Sequence, residues 1–178
     1  MGLRAYGVAV LAAAGVLWAM SGTEREKPLL AATAPDQVRA LEAAAVARPD
    51  DLTARRALAQ AYLDARQPGL AIVLVESATP AVRADVRMQH VYARALVDAG
   101  RNDEALTVES HVVSTCRPVA DGAPALDGCD SVLLASAMRR ADILRELVSM
   151  GVQDAQAHPE MSALAYQNAT REARVVVQ

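Results

Sequence analysis

Apolar residues recur at the three-and-four spacing of an α-helix along most of this chain, and turn-forming residues separate the segments. This pattern predicts helices over about 36–47, 52–65, 69–78, 82–99, 102–115, 130–150 and 159–178. Pro68 precedes one predicted helix, and Gly100 and Gly151 follow the ends of two others, as expected of residues that begin and end helices. No segment has the sustained alternation of apolar and polar residues that a half-buried strand requires. The sequence therefore predicts an all-α fold.

Two of the predicted helical hairpins have the same pattern of residues, displaced by 34 positions. The matched pairs are Leu58 and Tyr92, Ala59 and Ala93, Tyr62 and Leu96, and Ala71 and Ala105. A fixed period of this length is typical of helical hairpins that stack, because no single hairpin can bury its apolar face alone. Such a stack is a binding scaffold far more often than an enzyme.

These residues resemble the signature of the tetratricopeptide repeat family, whose unit is a helix–turn–helix of 34 residues. Leu58, Ala59 and Tyr62 stand in the family's Leu, Gly and Tyr positions. The match covers about 50–117, with a surviving half-unit at 36–49. The resemblance implies a short right-handed superhelical stack of antiparallel helix hairpins. Two extra C-terminal helices follow it, as a degenerate repeat, an ankyrin-like unit or a cap.

Some positions of the family signature are altered in this chain. The Trp positions hold Arg55 and Gln89, and the second Phe position holds Glu109. We expect the packing site at Glu109 to be missing or to face water. Since at least three units are usually needed for a stable stack, the half-unit and the C-terminal helices are expected to complete the core.

The resemblance also implies where a partner would bind. In tetratricopeptide scaffolds, the first helix of each unit lines a concave groove that takes a peptide or a partner helix. The groove positions that we identify as partner-binding are Arg56, Gln60, Arg87, His90 and Arg94. Arginine pairs well with carboxylates, which points to an acidic segment or a terminal carboxylate of a partner as the ligand. The alternative is a solvated polar face on which nearby aspartates neutralise the arginines.

Composition and charge narrow the classes of ligand. The chain has 53% hydrophobic residues but only 3% aromatic ones and no Phe, so its helices are expected to pack through small side chains. Its net charge of −3 gives no general attraction to nucleic acid. There is no Gly-rich phosphate loop, nucleophile elbow or zinc-binding helix motif, and His90, His111 and His158 lie in different elements. We expect no catalytic residue, metal ion, cofactor or small-molecule substrate.

The N-terminus has the features of a targeting segment. An uncharged run of 16 residues, 5–20, follows the positive residue Arg4. Its length fits either a cleaved signal peptide or an uncleaved anchor in the inner membrane, and both interpretations stay open. Residues 22–35 have the composition of a linker. With either interpretation the rest of the chain is exported, which in a bacterium means the periplasm.

Cys116 and Cys129 are the only cysteines, and both lie in the part that we expect to be exported. In an oxidising compartment they are expected to form a disulfide that pins the long loop between two helices. Their spacing does not match the Cys-x-x-Cys of redox-active pairs, and with His111 as the only close histidine, a metal site lacks ligands. Two free buried thiols are the remaining alternative.

These observations divide the chain into four segments. They are a signal peptide or membrane anchor at 1–21, a linker at 22–35, repeats at 36–117, and a disulfide-pinned loop with capping helices at 118–178. The resemblance implies a non-enzymatic adaptor in the bacterial cell envelope that binds a protein or peptide partner. The alternative is a structural or oligomerising envelope module that acts through its C-terminal helices.

Overall fold

The computed structural model describes residues 35–117 and 127–175. Within these two ranges every regular element is an α-helix, so the predicted all-α class is confirmed. The helices are α1 Pro35–Ala47, α2 Leu52–Asp64, α3 Pro68–Glu76, α4 Pro80–Ala84, α5 Val86–Asp98, α6 Asn102–Cys116, α7 Ser131–Ser149 and α8 Pro159–Val175. None of these helices is long and apolar enough to span a membrane. The targeting segment predicted at 1–21, and the linker as far as residue 34, lie outside the described residues.

The helix boundaries repeat with the same 34-residue period as the sequence. α2 and α5 have equal length, begin 34 residues apart and each follow an aspartate. Asp51 accepts a hydrogen bond from Ala54 N over 3.1 Å. Asp85 accepts from Arg87 N and Met88 N over 2.9 and 3.1 Å. Because these caps satisfy N–H groups that lack partners in the first turn, both helices start directly after the aspartates.

The cap at Asp85 corrects the prediction of one continuous helix over 82–99. The chain instead forms the short α4, leaves helical geometry at Asp85 (φ −64°, ψ 129°) and begins α5 at Val86. A capping residue has extended backbone angles, which cannot continue a helix. The helix therefore breaks at Asp85, whose carboxylate caps the helix that follows. As a result, α5 begins at the position of the 34-residue repeat at which α2 begins.

α2 and α5 also end in the same way. Arg66 and Gly100, which lie 34 positions apart, have left-handed backbone angles of φ 58° and φ 73°. After Arg66, Gln67 N donates to Tyr62 O over 2.8 Å, and the equivalent hydrogen bond after Gly100 is 2.9 Å long. This bond belongs to the Schellman motif that closes helices, and it confirms the predicted role of Gly100.

The repeats and the C-terminal hairpin have one continuous core. α5 packs against α2 and α3, and α7 packs mainly against α6 and also contacts α5. Leu63 of α2, Leu96 of α5 and Leu144 of α7 belong to one cluster of buried side chains. The same cluster includes Val152 after α7 and Ala165 of α8. α7 and α8 are therefore joined to the preceding helices through shared apolar packing.

Two tyrosines link the first helix of each repeat to a helix before it. The hydroxyl of Tyr62 donates to Glu42 of α1, and that of Tyr92 donates to Glu76 of α3, each over 2.8 Å. Burial, together with the hydrogen bond to a carboxylate, raises the pKa of Tyr62 and of Tyr92 to about 12. Both phenols therefore keep the proton that these hydrogen bonds require.

Cys116 and Cys129 form the predicted disulfide, with their Cα atoms 5.3 Å apart. Cys116 is the last residue of α6, and Cys129 comes directly before Asp130, which caps α7. The bond therefore closes the connection between these two helices. Residues 118–126 of this connection lie outside the described part of the chain.

Reducing this disulfide is expected to lower the free energy of unfolding by about 3 kcal/mol, because the open chain gains conformational entropy when it unfolds. Urea titrations of the oxidised and reduced protein, followed by circular dichroism, measure the difference. The Cys116→Ser/Cys129→Ser variant is the control: it should match the reduced protein and should not respond to reductant. Two alkylatable thiols in untreated, exported protein would contradict the bond.

Candidate functional site

α2, α5 and α7 meet around a groove of about 400 Å³. Its walls combine charged and apolar side chains from the three helices and from the residue that caps α7. The lining residues are Arg56, Arg87, His90, Val91, Asp130, Val132, Leu133 and Ser136. Half of them lie beyond the part of the chain that resembles the repeat family, so the start of α7 completes the groove.

Three of the five residues predicted to bind a partner, Arg56, Arg87 and His90, line this groove together. Arg56 is on α2, whereas Arg87 and His90 lie about one turn apart on α5. Residues three positions apart share a helix face, and the contact between α2 and α5 brings Arg56 to the same surface.

The remaining two predicted residues, Gln60 and Arg94, lie beside Asp64. Gln60 Nε2 donates to Asp64 Oδ1 over 2.8 Å, and Arg94 Nη2 is 3.8 Å from the same oxygen. The side chains of Arg94 and Asp64 are 42% and 43% exposed, so solvent screens this ion pair and makes it weak. Asp64 is therefore only a weak partner of Arg94, which is not part of the groove lining.

The groove has a surplus of positive charge. In the part of the chain that the structure describes, no hydrogen bond or ion pair involves the guanidinium groups of Arg56 and Arg87. Asp130 is the acidic residue of the lining, and its carboxylate accepts Leu133 N over 2.7 Å as the cap of α7. A ligand carboxylate could thus pair with the arginines without displacing a partner among these residues.

Gly128, which precedes the disulfide-bonded Cys129, packs against the first residues of α5. Gly128 is buried with φ 86°, and a Cβ at this position would lie 3.0 Å from Val86 Cγ2. The same point is 3.7 Å from Oδ2 of Asp85 and 3.8 Å from Nε of Arg87. Cys129 and Asp130 follow directly, so the disulfide helps to hold Asp130 at the groove.

Next to the groove, α6 places a carboxylate in the core. Glu109 is 0% exposed and lies 34 positions after Val75, which is 1% exposed. The expectation that this site would be missing or face water is therefore wrong. Arg140 Nη1 lies 3.0 Å and His90 Nδ1 lies 2.8 Å from Glu109 Oε1. These two partners offset the hydration that a carboxylate loses on burial.

His90 is at the centre of a hydrogen-bond network. The Glu109 carboxylate accepts a hydrogen bond from Nδ1 of His90. Ser136 Oγ lies 3.2 Å from the other ring nitrogen, Nε2. Arg140 Nη1 also donates to the backbone carbonyl of His90 over 3.2 Å. Side chains from α5, α6 and α7 therefore form one network that reaches the groove at His90 and Ser136.

Ser136, His90 and Glu109 are connected in the order of a hydrolase triad. Arg140 Nη1 lies 3.4 and 3.5 Å from the two ring nitrogens of His90. Ser136 is inside α7, where the backbone N–H groups bond within the helix and offer no oxyanion hole. These contacts join α5, α6 and α7.

The sequence prediction missed Glu109, Ser136 and Arg140 as parts of the site. One usable signal was a carboxylate at an apolar position of the repeat, because a buried carboxylate requires a cation or several donors. Another was the spacing of Ser136 and Arg140, which puts both on one face of α7. No local motif relates these residues, since Glu109 and Arg140 are 31 positions apart.

In comparisons with known proteins, no protein-family model, curated protein or solved structure matches this chain. Among the described residues, no group of three or more His, Cys, Asp or Glu side chains could hold a metal ion. The function must therefore be inferred from the groove itself.

Proposed function

We propose that this protein is a non-enzymatic adaptor that binds an acidic peptide segment of a protein partner in the groove. The observation that supports this most directly is the placement of Arg56 and Arg87 on one concave surface without a carboxylate partner among the described residues. Guanidinium groups bind carboxylates through paired, charge-assisted hydrogen bonds. The groove is open along three helices, which suits an extended peptide segment better than an enclosed small molecule.

The proposed scaffold is a short right-handed stack of tetratricopeptide-like hairpins. The matched caps and ends of α2 and α5 support it, as do Ala71 and Ala105, which are both 0% exposed at equivalent positions. α5 contacts both helices of the preceding hairpin, α2 and α3. α7 likewise contacts both helices of the hairpin before it, α5 and α6. We therefore treat α7 and α8 as a degenerate third unit, which meets the usual minimum for a stable stack.

The proposed location is the bacterial periplasm, with the protein held at the inner membrane or released from it. The disulfide supports an oxidising compartment, because cytosolic thiols are kept reduced. The apolar run at 5–20 supports export. An adaptor there would act in an envelope complex whose components include the acidic partner.

Reversing the charge of both groove arginines is expected to weaken peptide binding by roughly a hundredfold, because repulsion replaces a charge-assisted contact. Random heptapeptides displayed on phage are first selected on the immobilised protein. Fluorescence anisotropy then compares the enriched peptides on wild type and on Arg56→Glu/Arg87→Glu. Circular dichroism confirms that the variant stays helical.

The matched control reverses two exposed arginines outside the groove, in Arg83→Glu/Arg145→Glu, and should bind like wild type. The proposal is wrong if acidic peptides are not enriched, or if the groove variant and the control bind equally. Failure of peptide binding combined with self-association in sedimentation experiments would favour the oligomerising module instead.

A further inference from the structure

We infer that the partner segment carries an aliphatic side chain beside its carboxylate, and that Val132 of α7 receives it. This inference rests on the proposed function, since it concerns the ligand of the same groove. Val132 lines the groove and is 77% exposed, so its side chain is open to a ligand beside the arginines. Its neighbours Leu133 and Val91 are partly buried and extend the apolar surface.

The start of α7 explains why Val132 is presented to the groove. Asp130 caps the helix through Leu133 N, which sets the rotation of its first turn. Val132 and Ser136 are four residues apart and therefore share a face, and both line the groove. The hydroxyl of Ser136 is engaged by His90, so the network next to the groove holds this face of α7 in place.

The groove thus presents two different chemistries on opposite elements. Arg56 and Arg87 offer positive charge from α2 and α5, whereas Val132 and Leu133 offer apolar surface from α7. A purely acidic segment would leave the valine in water, and a purely apolar segment would leave both guanidinium groups without a carboxylate. A segment with Asp or Glu within about two positions of Leu, Ile, Val or Met matches both surfaces.

The test uses the phage-selected heptapeptides and the neutral substitution Val132→Ser, which changes no charge. The matched control is Val46→Ser, because Val46 is 82% exposed on α1 and lies outside the groove. Each peptide is measured with its aliphatic residue intact and with that residue replaced by serine. For each valine variant, wild-type and variant protein with intact and replaced peptide give four combinations, which form a double-mutant cycle that isolates the contact.

We expect the selected peptides to combine an acidic and an aliphatic residue. Replacing the aliphatic residue should weaken binding to wild type and to Val46→Ser about tenfold, which corresponds to burial of a small aliphatic group. The same replacement should have less than about a twofold effect on Val132→Ser, because the contact is already lost.

Four outcomes would overturn the inference. Acidic peptides without an aliphatic preference, or an equal effect in both valine variants, would leave the proposed binding of acidic segments standing but remove its apolar specificity. Selection of no acidic peptide would remove the proposed function as well. Self-association that Val132→Ser weakens and Val46→Ser does not would identify a second copy of this protein as the occupant.

Discussion

Replacing Arg140 with methionine is expected to lower the free energy of unfolding by about 3–5 kcal/mol, because it leaves a buried carboxylate without its cation. Glu109 is 0% exposed, and its ion pair with Arg140 is 3.0 Å long. Methionine keeps much of the length and the helix propensity of arginine, so the loss comes from the charge. Urea unfolding followed by circular dichroism measures it.

Arg139→Met is the control, because Arg139 precedes Arg140 on α7 and also makes a defined contact. Its guanidinium lies 5.0 Å from the centre of the Tyr166 ring on an exposed surface, and its loss should cost about 1 kcal/mol or less. If Arg140→Met lowers the free energy of unfolding no more than this control, the network does not stabilise the fold.

The double variant Glu109→Leu/Arg140→Met should recover most of the stability lost in Arg140→Met. It removes the buried charge together with its partner and leaves an apolar contact of similar volume. A leucine at position 109 would also match Val75, its buried counterpart 34 positions earlier. If stability recovers while peptide binding falls, the network is a positioning device for the groove in addition to a core contact.

Truncating Leu144 to alanine is expected to destabilise the entire fold by about 2–5 kcal/mol in one cooperative transition. Leu144 is 1% exposed and shares a buried cluster with Leu63 of α2 and Leu96 of α5. The cavity would therefore lie in a core that α7 shares with the repeats. Thermal and urea unfolding by circular dichroism report both the size of the effect and the number of transitions.

Leu164→Ala in α8 is the matched control, because Leu164 is 43% exposed in the same C-terminal hairpin. This substitution should lower the free energy of unfolding by well under half as much as Leu144→Ala, because it removes little buried apolar surface. A separate early transition in Leu144→Ala would mean that α7 and α8 unfold as an independent cap. That result would favour the oligomerising alternative, in which the C-terminal helices act apart from the repeats.

Much of the helical framework could be predicted from local chemistry. Asp51 and Asp130 cap helices where a carboxylate precedes an apolar run, Pro68 begins α3, and Gly100 and Gly151 take the left-handed angles that end helices. The disulfide followed from two cysteines in a segment expected to be exported. The break at Asp85 was missed because apolar residues continue on both sides of it, and only the cap geometry separates α4 from α5.

The groove was only partly predictable, because its residues come from three helices. Arg56, Arg87 and His90 occupy positions that the repeat pattern assigns to a concave face, and they do line one surface. The repeat pattern assigns Gln60 and Arg94 to the same concave face, but their side chains lie beside Asp64. Repeat position alone does not determine which side chains a local carboxylate will engage.

By itself, the sequence determined the helical class, the 34-residue period and most helix ends, since these depend on the backbone preferences of neighbouring residues. Only the tertiary structure decided that Glu109 is buried and that α7 supplies a wall of the groove. A carboxylate can occupy an apolar position only when distant donors reach it. Here the packing of α7 on α5 and α6 brings Arg140 to that point, and the same packing presents Val132 to the groove.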